Sequence, residues 1–594
     1  MRQFFKFVFA SCLGLFLAIF CIFVFFAIWG ASALSGTKTS ASASPNSILT
    51  IKLDKPLPER TNNVAQMDYS NLKSGDVLGL QDILNGIKKA QSDANIKGIL
   101  LEISNEAQYG QASALAIRKA LLAFKKSGKF ILANSDYYTL RNYYLSSVAD
   151  KVYLHPVGGI DFRGVAAQIP FMKDMLDRIG VSMQVYYAGQ FKSATEPFRF
   201  NKMTDQNRVQ IKEYLGDFYD QLLTDVAASR NLDKATLINI ANEQLASEPE
   251  DALRLKLVDK LAYEDELTAD IRQRLGLDTK EKIKSVSLYK YATPDANDVD
   301  ISVKDQIAVV YAEGNIVDGK GEDGDIGGDK YVDILSKIRK NDNIKGIVLR
   351  VNSGGGSSLA SEKIWRELTL AKKSGKSVVV SMGDYAASGG YYISCLADSI
   401  FAEPNTLTGS IGVFGMLPDA SKLMENKLGI HFDTVKIGKY ATMGSPFYPM
   451  TTDEGKIMQK SVDKVYDIFL KRVADGRKMP TDAVHAIAQG RVWTGKRAAE
   501  IGLVDKLGGL QEAVAAAASK AGLKKYRLNQ YPKTKEPLQR ILEEFTNELN
   551  DDESLKEFLM QSDLKPFYPY YEQVKTLMAA TKTPQAKLPY ILSW

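Results

Sequence analysis

Asn95-Ile-Lys-Gly-Ile-Leu-Leu-Glu-Ile-Ser104 and Asn343-Ile-Lys-Gly-Ile-Val-Leu-Arg-Val-Asn352 are one phrase written twice in the same chain. The repetition continues outward from it. Lys125-Lys-Ser-Gly-Lys129 matches Lys372-Lys-Ser-Gly-Lys376, and Ala149-Asp150 matches Ala397-Asp398. Gly189 and Pro197-Phe198 match Gly438 and Pro446-Phe447, and Leu257-Val-Asp-Lys-Leu261 matches Leu503-Val-Asp-Lys-Leu507. Offsets of about 246–249 residues, in one order, imply two homologous domains of similar size.

Within each domain, apolar runs of strand length alternate with amphipathic helical stretches. In the second, the run Ile344–Val351 leads through Gly354-Gly355-Gly356 into a helical pattern from Leu359 to Lys372. A strand from Ser377 to Met382 follows, with a helix starting near Ala387. Such alternation predicts βαβ units and an α/β fold. The expected boundaries are 49–295 for the first repeat and 296–525 for the second, with 526–594 a helical extension. The Gly- and Asp-rich segment from Asp318 to Asp329 reads as a loop, and its acidic spacing does not fit a calcium-binding loop, so no metal is assigned.

Composition narrows the function classes. The 594 residues carry 76 Lys and Arg against 70 Asp and Glu, a net charge of +6 spread along the chain. No basic run interleaved with aromatics appears, so nucleic-acid binding is not supported. Three cysteines, two of them in the N-terminal apolar run, make neither a disulfide framework nor a structural zinc site. No cofactor is implied. Phe7–Trp29 is an unbroken run of apolar and small residues preceded by Arg2 and Lys6. About 20 such residues span a bilayer as a helix, whereas signal-peptide cores are usually shorter, so residues 1–31 are expected to be an uncleaved anchor. Positive charge before the span places the N-terminus in the cytoplasm and the body outside, after a tether over 32–48.

Two glycine-rich turns are candidates for chemistry. Asn352-Ser-Gly-Gly-Gly356 leaves backbone N–H groups able to face an anion, yet it is equally a tight strand-to-helix turn, and it lacks the Gly-Lys-[Ser/Thr] ending of a phosphate loop. Ala386-Ala-Ser-Gly-Gly-Tyr-Tyr392 puts Ser388 where a helix cap or a nucleophile could stand, with the Gly389 N–H beside it. Thr408-Gly-Ser-Ile-Gly412 reads as a polar turn. His155, His431 and His485 fit no triad pattern. A lysine held neutral by burial can replace histidine as base, but the residues alone do not choose one among so many lysines.

Arg350-Val-Asn-Ser-Gly-Gly-Gly-Ser357, Ser381-Met-Gly-Asp-Tyr-Ala-Ala-Ser-Gly-Gly-Tyr-Tyr-Ile-Ser394 and Thr408-Gly-Ser-Ile-Gly-Val-Phe-Gly415 resemble the signal peptide peptidase A family, also called protease IV, in its long two-repeat form. The resemblance implies a Ser–Lys dyad endopeptidase with two tandem crotonase- or Clp-protease-like repeats, acting on signal peptides released from exported proteins. Its expected location is the bacterial inner membrane, with the body on the periplasmic side. It also implies a homo-oligomer, a tetramer in the family. The family nucleophile falls on Ser388, and its base on Lys192 in Lys192-Ser-Ala-Thr-Glu-Pro-Phe198. A lysine-orienting serine falls on Ser410, and oxyanion donors on Gly355, Gly356 and Gly389. The family commonly has Pro where Gly354 stands, a change that loosens this turn.

The duplication bears on that assignment. Ser388 aligns with Leu140 in the first repeat, and Lys192 with about Ala441 in the second. Each repeat therefore holds one half of a dyad. Two rivals remain: acyl-CoA chemistry on a related fold, disfavoured by an exported location, and a catalytically decayed membrane scaffold.

Overall fold

The computed structural model describes residues 14, 42–61, 67–68, 73–74, 77–292, 302–533 and 585–587. Apart from Gly14, the expected anchor lies outside these residues. Among the described residues no helix is long and apolar enough to cross a membrane.

Each repeat is built on one sheet. The first has strands in the order 260–261, 151–160, 130–138, 96–103, 47–53 and 284–287, all parallel. The second runs 492–494, 407–409, 377–387, 344–353, 306–313 and 527–531, with 399–402 and 506–507 branching from 377–387. Parallel strands covered by helices are buried on both faces, and this is why the opening phrase is nearly continuous in Ile, Leu and Val. Ile347, Val348, Leu349 and Val351 are all fully buried.

The duplication extends to individual side chains. Tyr143 Oη donates to Leu257 O at 2.6 Å, and Tyr391 Oη to Leu503 O at 2.9 Å. Lys125 pairs with Asp150 and Lys372 with Asp398, each at 2.9 Å. Arg230 grips Asp259 as Arg477 grips Asp505. Each repeat also carries a 26-residue helix, Asp205–Arg230 and Thr452–Arg477, opened by a threonine cap and closed by a left-handed residue.

Three expectations change. Arg527–Tyr531 is a strand on Gln306–Glu313, the counterpart of Lys284–Ser287 on Ser47–Leu53, so the second repeat runs past 525. Asp318–Asp329 is not all loop: Ile316-Val317 pairs with Ile326-Gly327, and helix Gly328–Lys340 begins before Asp329. The strand from Ser377 extends to Ala387, because its polar end is anchored to the other repeat rather than released as a turn.

Two cross-repeat contacts do that anchoring. Asp384 accepts from Ser113 N at 2.9 Å and Ser113 Oγ at 2.6 Å, at the start of helix Gln111–Lys125. Arg350 donates to both oxygens of Glu59 at 2.9 Å and to Met382 O at 2.7 Å. Glu59 and Arg350 are 1% and 4% exposed, so removing one partner strands a buried charge. Glu59→Ala is expected to cost about 3–5 kcal/mol in denaturant unfolding. A loss below about 1 kcal/mol, the range of exposed pairs, would show that this pair does not hold the repeats together.

Candidate active site

A third, smaller sheet crosses between the repeats. Ser182–Ala188 of the first pairs antiparallel with Val413–Asp419 of the second, from Val413 opposite Ala188 to Asp419 opposite Ser182. Lys192 lies four positions beyond one strand and Ser410 three before the other, so this register brings both to the same end of the ladder.

The turns there are tight. Ser388 sits between strand Ser377–Ala387 and helix Gly389–Ser394 with φ 54° and ψ −114°, a conformation L residues rarely adopt. Its N–H donates to Gly409 O at 2.8 Å and its carbonyl accepts from Tyr392 N at 2.8 Å, which hold the strain in place. Its side chain makes no capping hydrogen bond, so the ordinary helix-cap role is not the one it plays. Ser410 also has positive φ, at 49°, and its N–H donates to Arg491 O at 2.7 Å.

Lys192 Nζ lies 2.8 Å from Ser388 Oγ, 3.1 Å from Ser410 Oγ and 3.1 Å from Ser410 O. Ser388 and Ser410 are fully buried and Lys192 is 1% exposed. Burial pushes the lysine well below its ordinary range. The amine is therefore surrounded by neutral oxygens, a setting that favours its uncharged form.

Residues not singled out by the sequence hold that lysine. Gln210 Nε2 donates to Phe191 O at 3.2 Å and Ser193 Oγ at 3.0 Å, while its Oε1 accepts from Val492 N at 3.1 Å. It thus ties both neighbours of Lys192 to the second repeat. Glu196, buried in the Lys192–Phe198 segment, accepts from Thr204 and from Asn207 Nδ2. Phe191 N donates to Gln489 O at 2.8 Å. At Gly490 a Cβ would meet the Lys192 backbone at 2.7 Å, so only glycine permits the approach. Glu196 stands inside the Lys192–Phe198 motif, whereas no local motif marks Gln210, Gln489 or Gly490.

Of the expected oxyanion groups, Gly389 opens the helix after Ser388, and Gly355 and Gly356 lie in strand Gly355–Ser357. Gly355 N–H donates to Ser353 Oγ at 3.1 Å and is engaged in this structure.

The model of peptidase family S49 matches residues 123–278 and 370–524, one stretch in each repeat. The chain belongs to peptidase family S49. It is 38% identical to Protease 4 of Salmonella typhi over 475 residues, 79% of this chain and 76% of that one. Protease 4 of Haemophilus influenzae is 34% identical over 516 residues, covering 84% and 82%. The chloroplastic serine protease SPPA of Arabidopsis thaliana is 32% identical over 460 residues, covering 76% and 67%. The protein is a serine peptidase in two repeats, of mixed α/β architecture with parallel sheets.

The lysine's displacement has a sign that can be read in stability. An unfolded Lys192 binds a proton up to about pH 10.4, whereas the folded one releases it well below that. Between those limits the unfolded state holds more protons, so this group's contribution to stability rises with pH. Lys192→Met removes the proton linkage. Its stability advantage over the parent is expected to shrink as pH increases toward about 10, measured by denaturant unfolding across pH. An advantage independent of pH would show that Lys192 remains charged in the fold.

Proposed function

We propose that Ser388 and Lys192 form a Ser–Lys dyad, and that the protein is an endopeptidase degrading signal peptides released from exported proteins. The observation that carries the dyad is the 2.8 Å approach of the two side chains, both buried and drawn from different repeats. Neutral Lys192 takes the proton of Ser388 Oγ as that oxygen attacks the scissile carbonyl. Backbone N–H groups at Gly389 and Gly356 receive the oxyanion, with Gly355 joining if it exchanges Ser353 for substrate. Protonated Lys192 then gives its proton to the leaving amine, which departs as the C–N bond breaks. Lys192 next deprotonates a water that cleaves the acyl-enzyme ester and restores Ser388. Ser410, through Oγ and O, orients the amine toward Ser388.

The signal-peptide substrate rests on the motif resemblance and on a relative from Enterococcus faecium called putative signal peptide peptidase SppA, 42% identical over 180 residues, 30% of this chain and 52% of that one. Apolar peptides at a bilayer suit the run Phe7–Trp29, which we assign as the anchor of an inner-membrane protein with its body on the periplasmic side. We assign each repeat to the crotonase/Clp-protease type on its parallel βαβ order.

The duplication also supports a head-to-tail homo-oligomer. Gly164-Val-Ala-Ala-Gln-Ile-Pro170 is the counterpart of Gly412-Val-Phe-Gly-Met-Leu-Pro418, and His431–Ile437 that of Ser182–Ala188. Within the chain the partners are 413–419 and 182–188, and neither counterpart forms a strand. Val435 and Ile437 are 97% and 98% exposed. A second copy supplying its 165–170 segment to 431–437 would repeat the internal ladder, and such heterologous contacts close into rings.

Ser388→Ala and Lys192→Ala are each expected to abolish peptidase turnover, and full activity in either would sink the dyad. Activity should rise with pH along a single limb as a lysine of depressed pKa loses its proton. Mixing the two variants should restore nothing, because one chain supplies both groups. Val435→Asp combined with Ile437→Asp should lower the assembly's mass in light scattering, and an unchanged mass would rule out this edge as the contact.

A further inference from the structure

Helix Asp205–Arg230 follows the lysine loop and presents three polar side chains on one face. Gln210, Glu213 and Asp217 are three and four residues apart, the spacing that aligns side chains along a helix. All three reach the same short stretch of the second repeat. Gln210 Oε1 accepts from Val492 N at 3.1 Å, and Glu213 pairs with Arg491 at 2.6 Å. Asp217 accepts from Arg497 Nε and Nη2 at 2.7 and 2.9 Å and from Thr494 Oγ1 at 2.9 Å.

The other edge of that stretch holds the serine turns. Val492–Thr494 pairs antiparallel with Leu407–Gly409, Arg491 O accepts from Ser410 N, and Gly409 O accepts from Ser388 N. One strand is therefore a common template, with both serines fixed on one side and the helix that follows Lys192 on the other. Of the three helix residues, Gln210 also reaches back to the lysine loop. Its Nε2 donates to Phe191 O and Ser193 Oγ, immediately either side of Lys192, and the side chain is 1% exposed.

The duplication separates this arrangement from ordinary packing. Counted from the threonine caps Thr204 and Thr451, helix Thr452–Arg477 carries Ile457, Lys460 and Lys464 where the first carries Gln210, Glu213 and Asp217. Counted back from the repeated Leu-Val-Asp-Lys-Leu, Leu245 and Asp251 stand in the first repeat where the second has Arg491 and Arg497. Only the repeat that carries the candidate base has this polar face.

We infer that Gln210 is a positioning residue for the Lys192 amine, and that Glu213 and Asp217 fix the helix from which it acts. This role rests on the peptidase reading of Ser388 and Lys192. An amide clamps the loop without placing a carboxylate beside the amine. The charged groups around the loop are engaged: Glu196 by Thr204 and Asn207, Glu213 by Arg491, and Asp217 by Arg497. Burial is what disfavours the ammonium form. A loosened loop admits water to Nζ, so the lysine keeps its proton to higher pH and meets Ser388 less closely.

The test uses the full chain with Gln210→Met, which keeps length and bulk but not the hydrogen bonds. Separately, Asp217→Asn keeps shape but not the charge that pairs with Arg497. The readouts are turnover of a fluorogenic apolar peptide and the rate at which a fluorophosphonate labels Ser388, each across pH. Gln210→Met is expected to lower kcat about 10- to 100-fold with KM changed less than about 2-fold. The rising limb of both profiles should move up by about one pH unit. Asp217→Asn should act in the same direction, by about 2- to 5-fold. Full activity in Gln210→Met overturns the inference. So does an unmoved limb with activity lost only in proportion to the unfolded fraction, since that is ordinary packing. Should Gln210→Met not fold, Asp217→Asn decides by the same limb. A parent chain with neither labelling nor turnover sinks the dyad and this role with it, whereas a labelled parent with unmoved variants sinks the role alone.

Discussion

The antiparallel ladder between Ser182–Ala188 and Val413–Asp419 joins the two repeats through backbone hydrogen bonds, and the position of each candidate group follows from its register. A slip of one residue in such a ladder turns every side chain to the opposite face. Here it would also shift the loop that carries Lys192 relative to the turn that carries Ser410. The approach of 2.8 Å between Lys192 and Ser388 leaves no room for such a slip. Gln210, which bonds to residues on both sides of Lys192 and to Val492, adds a second fixed point on the same register. The ion pair of Glu59 with Arg350 and the grip of Asp384 on Ser113 hold the far side of the strand that leads to Ser388. The serine turn is thus clamped from both repeats, which is what keeps its unfavourable φ and ψ in place.

A lysine can serve as base only if its charge is costly. Near a carboxylate, Lys192 would keep its proton, and the pair would be an ordinary buried salt bridge. The site instead surrounds Nζ with Ser388 Oγ, Ser410 Oγ and Ser410 O, all neutral. The carboxylates four residues from each of Lys192 and Ser388 in sequence are engaged elsewhere. Glu196 is satisfied by Thr204 and Asn207, and Asp384 by Ser113. Desolvation is then left as the cause of the depressed pKa. Histidine would need less depression to be neutral near physiological pH, but would also need a partner to fix its tautomer. A neutral amine has two N–H groups to donate, which Ser410 O and Oγ can accept, and one lone pair left to face the Ser388 hydroxyl.

Much of this was legible in the sequence, because duplication prints the same constraints twice. Buried parallel strands show as the repeated Ile/Leu/Val run, and the Lys–Asp and Arg–Asp pairs recur at matching places. The two halves of the proposed dyad are marked only by motif resemblance, since Ser388 alone looks like a helix cap and Lys192 like any lysine. What escaped depends on contacts distant in sequence. The polar end of strand Ser377–Ala387 looks like a turn until Ser113 is placed beside Asp384. Gln210 carries no motif, and its importance comes from reaching three separate segments. Gln585–Lys587 has no strand pattern of its own, and becomes a strand only because two edges receive it.

Dividing the proposed dyad between repeats has a physical consequence beyond economy. Lys192 follows a strand whose only partner among the described residues is Val413–Asp419 of the second repeat. Contacts from Gln489, Gly490 and Val492, also of that repeat, close over the lysine loop. Taken apart, the first repeat would leave Lys192 in water, protonated and unable to accept a proton. The second would leave Ser388 with no base in reach and its strained turn without the first repeat's share of the clamp. Docking the repeats removes the water, and removing the water pushes the lysine toward its neutral form, as the proposed dyad requires. The interface that assembles the site is therefore the same element that tunes its chemistry.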